Sequence, residues 1–133
     1  MRTSRDAFHL AIPARDLQET EHFYSKLLGC HVARRYDDRL TFNFFGDQLV
    51  CHHSPNELRA EVRLYPRHFG LTFREKADYD ALLQLVELRN VPVYQKSQLR
   101  FEGLVEEHYT VVLRDPTDNL LEFKHYRDPR MIY

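Results

Sequence analysis

The sequence predicts an α+β fold of two tandem βαβββ modules within one domain of 133 residues. Three observations predict it. First, "FHLAIPARDLQETEHFYSKLLGCHV", from Phe8, and "HFGLTFREKADYDALLQLVELRNVPV", from His68, share one plan: a short alternating strand, a charged junction, an amphipathic helix and a return to strand. Second, three strand-like segments follow each helix. Third, "SPNELRAEVRLYPR" between the halves carries Pro55 and Pro66, which interrupt regular structure and mark a linker. The modules are expected at about residues 6–54 and 67–127, with the linker at about 55–66.

Each element has a local reason. In the first strand Phe8, Leu10 and Ile12 alternate with His9 and Ala11. In the helix that follows, Thr20, Phe23, Tyr24, Leu27 and Leu28 keep the three-four spacing of a buried face. Asp16 followed by Glu19 reads as an N-terminal cap with its reciprocal partner, and Gly29 as the stop. The segments "CHVARRYD", "RLTFNFF" and "DQLVCHH" complete the first module. The second repeats the pattern. Phe69, Leu71 and Phe73 form the apolar face of its first strand, and Tyr79, Leu82, Leu83 and Val86 that of its helix, which Asn90 ends. "VPVYQKSQ", "EEHYTVVLR" and "NLLEFKHY" are its remaining strands. A half of this size buries too little surface to fold alone, so the halves are expected to pair, within one chain or across a homodimer.

A composition of 43% hydrophobic and 29% charged residues is that of a soluble globular chain. The net charge of −1, with Lys and Arg spread along the chain, argues against nucleic acid or an anionic membrane as the main partner. No run reaches the ~18 apolar residues of a spanning helix. The N-terminus meets Pro13 and charged residues too early for a signal-peptide core, so a cytoplasmic location is expected. Cys30 and Cys51 lack redox or framework spacing and read as reduced core residues.

Alternation also places the polar residues. His9 with Ala11, and His68 with Gly70, repeat one motif: a histidine followed two positions later by a very small residue, opposite a bulky apolar face. In the last strand Leu120, Glu122, Lys124 and Tyr126 share a face, with Leu121, Phe123 and His125 on the other. In the fourth, Gln48, Val50 and His52 oppose Leu49, Cys51 and His53. A carboxylate such as Glu122 between apolar neighbours either faces water or meets a cation. If the polar faces line a common cleft, His9, His68 and Glu122 converge there, with His52 as a further candidate. Two imidazoles and a carboxylate with open positions suit divalent iron, manganese or zinc. The competing reading is that these histidines are hydrogen-bonded structure or surface.

At these residues the chain resembles the vicinal oxygen chelate superfamily, which includes glyoxalase I, the bleomycin and fosfomycin resistance proteins and the type I extradiol dioxygenases. The resemblance runs from Phe8 to about Arg130 through "FHLAIPARDL", "FYSKLLGC", "FFGDQLVCHH", "RHFGLTF", "RFEG" and "DPTDNLLEFKHY", and is nearest to small extradiol dioxygenase-like members. It implies paired modules whose curled sheets cup one divalent ion, Fe2+ or Mn2+ in the first place and Zn2+ or Ni2+ otherwise. The ligands carry over to His9, His68 and Glu122, with His52, rather than His53, as the fourth.

The chain departs from two family patterns. Glyoxalase-like isomerases usually carry a carboxylate or amide ligand on the fourth strand, where histidine is offered here. Extradiol enzymes typically carry a tyrosine ten residues before the last ligand, where this chain has Val112. Asp118 stands where relatives have glycine, a left-handed position that Asp tolerates.

Of the remaining polar residues, Glu107 and His108 occupy adjacent strand positions, so at most one faces the site as acid or base. Arg100 is a candidate for a substrate carboxylate or phosphate, or else a solvated loop residue. Phe101, Tyr109 and Tyr126 are candidate walls of a substrate site, or core.

The expected function is a metal-dependent enzyme, a dioxygenase by first choice, acting on a small molecule that chelates the ion through adjacent oxygens. A glyoxalase-like isomerase or lyase is the second choice, and a drug-sequestering resistance protein without catalysis the third.

Overall fold

A computed structural model describes residue 3, residues 5–57 and residues 60–133. Leu58 and Arg59, within the expected linker, lie outside the described residues. The chain divides into two compact units, Met1–Glu61 with Pro116–Asp118, and Val62–Asp115 with Asn119–Tyr133. Among the described residues each unit holds one four-stranded mixed sheet, and both follow the order strand, helix, strand, strand, strand.

In the first unit β1 (His9–Ala14), β2 (His31–Arg35), β3 (Arg39–Phe44) and β4 (Asp47–His53) lie in the order β1-β4-β3-β2. β1 runs parallel to β4, and the other pairs are antiparallel. The connecting helix begins as α1 (Leu17–Glu21) and widens into a π-helix over His22–Leu27. Asp16 caps it as expected, its side chain accepting from the Glu19 amide at 2.8 Å. The reciprocal half of the cap does not form. The Glu19 carboxylate accepts instead from the Arg15 guanidinium at 2.8 Å, because an opposite charge one turn away competes for it.

The wide turn brings Tyr24 onto the sheet, 5.2 Å from Phe42 and 6.4 Å from Phe44 between ring centroids. Leu40, Phe42, Leu49 and Cys51 are buried on the same side, so Cys51 is core. Gly29 closes the helix at φ 80°, which costs glycine least. Pro116–Asp118 joins this unit through Thr117, whose hydroxyl accepts from the Arg15 amide at 3.0 Å.

The second unit repeats the order as β5-β8-β7-β6, with β5 (Phe69–Phe73), β6 (Val93–Arg100), β7 (His108–Arg114) and β8 (Leu120–Tyr126). β5 is parallel to β8 and the rest antiparallel. Here α2 (Lys76–Leu88) is a regular α-helix. It buries Tyr79, Leu82 and Val86, and Phe73 stacks on Phe123 at 6.1 Å beneath it. Asn90 ends the helix at φ 51°. A short 3-10 turn over Pro129–Ile132 follows β8. No helix among the described residues is long and apolar enough to cross a membrane.

In each sheet one face is thus spent on the helix. The polar residues share the other.

Candidate metal and substrate site

Glu122 is the centre of the polar face in the second unit. Its side chain is 8% exposed, and three neighbours meet it. The Thr110 hydroxyl donates to Oε1 at 2.9 Å. The other oxygen, Oε2, faces His68 Nε2 at 3.1 Å and Lys124 Nζ at 3.0 Å. Strand register explains the gathering. Lys124 pairs with Thr110 and Thr72, and Glu122 with Val112 and Gly70, so these side chains stand on one face two residues apart.

His68 is held from behind. Its Nδ1 donates to the Leu64 carbonyl at 2.8 Å, and the Tyr65 ring meets the imidazole edge-on at 5.7 Å. A carbonyl only accepts, so Nδ1 carries a proton, and in the neutral form of the ring the lone pair is the one at Nε2. That lone pair points at a carboxylate oxygen, an arrangement that calls for a cation or a proton between them. A carbonyl on the distal nitrogen is also the usual way in which a ligating histidine is oriented.

The same face continues towards the end of the sheet with His108, Tyr126 and Arg100. His108 pairs with both Tyr126 and Arg100, and its ring lies 4.7 Å from Tyr126 and 5.7 Å from Phe101. His108 Nδ1 donates to the Glu106 carbonyl at 2.7 Å, which again leaves Nε2 as the basic nitrogen. Phe101 adopts φ 54° in the turn after β6 and is half exposed. Gln95, across from Val112, has a buried amide nitrogen without a hydrogen-bond partner among the described residues.

Two sequence candidates are placed elsewhere. Glu107 spends its carboxylate on the turn, accepting from the Gly103 amide at 2.7 Å and from Arg127 at 3.2 Å. The Gly103 amide, and then the Arg127 charge, hold it below the usual carboxylate range, as befits a structural anion. Of the adjacent pair, His108 is therefore the residue on the Glu122 face. Tyr109 points the opposite way, under α2, with its ring 6.0 Å from Tyr79 and 4.5 Å from Lys76 Nζ. It belongs to the helix-side packing and does not wall this face, because neighbours on a strand alternate.

In the first unit His9 Nδ1 meets Gln48 Oε1, its partner across β1 and β4, at 2.5 Å. With the amide oxygen accepting, His9 also keeps Nε2 free. A hollow of about 400 Å³ opens on this side of the sheet, lined in part by Arg34, Thr41, Asn43 and Gln48.

His52 lies further along β4, exposed, opposite Pro13 and Arg39. The repeat itself identifies the β4 counterpart of Glu122. Glu122 pairs with Gly70, two residues past His68, and the corresponding partner of Ala11, two residues past His9, is Val50. The position is apolar and buried.

Within either unit, no three His, Cys, Asp or Glu side chains among the described residues form a metal-binding cluster. The donors of the second unit nevertheless fit a divalent ion in kind: an imidazole whose Nδ1 is tied to a carbonyl, opposite a buried carboxylate.

Thr110, Lys124, Leu64 and Gln48 were not identified from sequence as partners of the site. For Lys124 a signal was present, since Glu122 and Lys124 two apart on a strand must share a face.

Two βαβββ units, one with His9 on its first strand, the other with His68 immediately before its first strand and the buried Glu122 on its last, define a class of small two-module domains. The family model described as Glyoxalase/Bleomycin resistance protein/Dioxygenase superfamily matches residues 7–123, and the chain belongs to that superfamily. A solved structure described as a glyoxalase/bleomycin resistance protein/dioxygenase from Alicyclobacillus acidocaldarius is 58% identical, covers 100% of both chains and has a TM-score of 0.96. The fold also matches a lactoylglutathione lyase from Agrobacterium tumefaciens, at 22% identity and TM-score 0.67 over 91% of this chain and 93% of that one. A glyoxalase/dioxygenase from Nostoc punctiforme matches at 16% identity and TM-score 0.67, over 93% and 92%. The superfamily includes lyases and dioxygenases, and its members bind small molecules and generally a divalent metal.

Proposed function

We propose that this protein is a metal-dependent enzyme acting on a small substrate that chelates a divalent ion through two adjacent oxygens. The observation that carries the reading is the opposition of His68 Nε2 and Glu122 Oε2 at 3.1 Å, with the histidine proton committed to Leu64. The ligands would be His68, Glu122 and, as the resemblance implies, His9. Bound there, the ion supplies Lewis-acid stabilisation of negative charge on the substrate oxygens.

The chain's own residues do the rest. Thr110 orients Glu122, and the Leu64 carbonyl keeps His68 in its ligating tautomer. His108 is the acid-base candidate, with Nε2 available to take or hold a proton. Arg100 and Tyr126, beside it, suit the anionic or polar end of a substrate, and the Gln95 amide is a donor for a further oxygen.

A dioxygenase with Fe2+ or Mn2+ is the first reading. Val50 stands at the repeat position of Glu122, so β4 offers no carboxylate there to shuttle a proton, as a glyoxalase-like reaction would favour. Two histidines and one carboxylate leave positions for a bidentate substrate and dioxygen. Val112 stands directly across from Glu122, so a tyrosine hydroxyl of the usual extradiol kind is absent and the substrate need not be a catechol. An isomerase or lyase with Zn2+ or Ni2+ is the second reading.

A cytoplasmic homodimer completes the proposal, supported by the short modules and the ordinary charge of the chain. Monomer mass in solution over a wide concentration range would remove the dimer.

The test is elemental analysis of protein purified anaerobically without chelator, beside Glu122→Ala and His68→Ala. Iron or manganese near one per chain, lost in both variants, supports the first reading and directs oxygen-uptake assays. Zinc or nickel favours the second and α-keto aldehydes as substrates. A tightly bound ion retained in either variant rules out the ligand assignment.

A further inference from the structure

Glu122 already has a cation. Its Oε1 is tied to the Thr110 hydroxyl, and its Oε2, the oxygen that faces His68, is held by the Lys124 ammonium at 3.0 Å. A buried carboxylate is stable only when its charge is met, and in this unit the ammonium meets it. A divalent ion bound by His68 Nε2 and Glu122 Oε2 would take the oxygen that Lys124 holds. It would also stand beside a second positive charge in a poorly solvated site. Lys124 is free to yield, because its flexible four-carbon stem reaches the surface and its side chain is 27% exposed.

We propose that Lys124 is the resident counter-ion of Glu122, which a divalent cation must displace in order to bind. The inference rests on the metal-dependent reading above and adds a competition to it. The affinity of the site for metal is set as much by the cation that leaves as by the ligands that stay. The carboxylate therefore remains neutralised, and the face intact, when no ion is bound.

The experiment is titration of chelator-stripped protein with Mn2+, by calorimetry and by competition with an indicator dye, in wild type, Lys124→Met and Lys124→Gln. Removing the ammonium is expected to tighten Mn2+ binding by about tenfold or more, the scale on which groups around a metal site change its affinity. Metal-free Lys124→Met should melt below wild type, and both Glu122→Gln in the same chain and saturating Mn2+ should recover much of that loss. Equal or weaker Mn2+ binding in both Lys124 variants overturns the inference while leaving the metal site standing. Mn2+ binding by the variants but not by wild type supports it in its strongest form. Failure of all three proteins to bind Mn2+ overturns the metal-dependent reading and the displacement together, and the double-variant melting then reports whether the ion pair exists.

Discussion

Gly70 and Glu122 face each other across the parallel pair of β5 and β8 so closely that a Cβ on Gly70 would lie 1.8 Å from the Glu122 carbonyl oxygen. The small residue two past His68 is there because the strand carrying the carboxylate needs its space. Replacing Gly70 with alanine forces one backbone aside. We expect a loss of about 1–3 kcal/mol in urea unfolding, typical of overpacking, together with weakened metal binding because Glu122 moves. An Ala variant that unfolds and binds Mn2+ like wild type would contradict the geometry.

Thr110 has a task that its methyl group cannot perform. Thr110→Val keeps the shape but leaves Glu122 Oε1 without its donor, at a cost of about 1–3 kcal/mol for an unmatched buried group. Thr110→Ser should recover most of that stability. Chemical denaturation of the three proteins checks the order, and serine behaving like valine would rule out the hydroxyl as the reason.

Glu107 and His108 should separate in experiment. Glu107 has a depressed folded pKa, owing first to the Gly103 amide and then to Arg127. A depressed acid stabilises the fold above its unfolded value, near the usual 4.5, and that contribution disappears as pH falls through the lower folded value. Wild type should therefore exceed Glu107→Gln in stability at neutral pH, with the gap closing below about pH 4.5. His108→Gln should instead lower turnover of any substrate found, with little change in melting temperature. A pH-independent gap for Glu107→Gln would count against its structural role.

Cys30 is buried, and burial pushes its thiol up to about 12. Folding then keeps the proton on, so the thiol does not alter stability below its ordinary 9.0, and stability declines as pH rises from there towards 12. Cys51 is fully buried as well. Neither thiol should react with a disulfide reagent at pH 8 until the protein unfolds, and both should react in denaturant. Rapid labelling of the native protein would show that the core opens without global unfolding.

Much of the fold was legible in the sequence because its signals are local. Alternation located the strands from His9 to Tyr126 and assigned Leu71 and Phe123 to the helix side and Glu122 to the other. The three-four spacing of Tyr79, Leu82 and Val86 marked the buried face of α2, and Asp16 capped the first helix as its residue type suggests. The π-helical turn at His22–Leu27 was not legible, because its pattern of apolar residues also satisfies an α-helix. The destination of Glu107 was hidden for a different reason: it depends on a turn whose Gly103 amide comes to the carboxylate only once the loop is folded.

By itself, then, the sequence determined the repeat, the strand faces and the residue types able to hold an ion, since these follow from periods of two and 3.6 along the chain. Tertiary structure decided who meets whom. It set Gln48 against His9, put Val50 rather than His52 at the repeat position of Glu122, turned Tyr109 under the helix, and surrounded Glu122 with Thr110, His68 and Lys124. Those pairings depend on register between strands far apart in the chain and on close packing, and a one-residue slip would exchange every face.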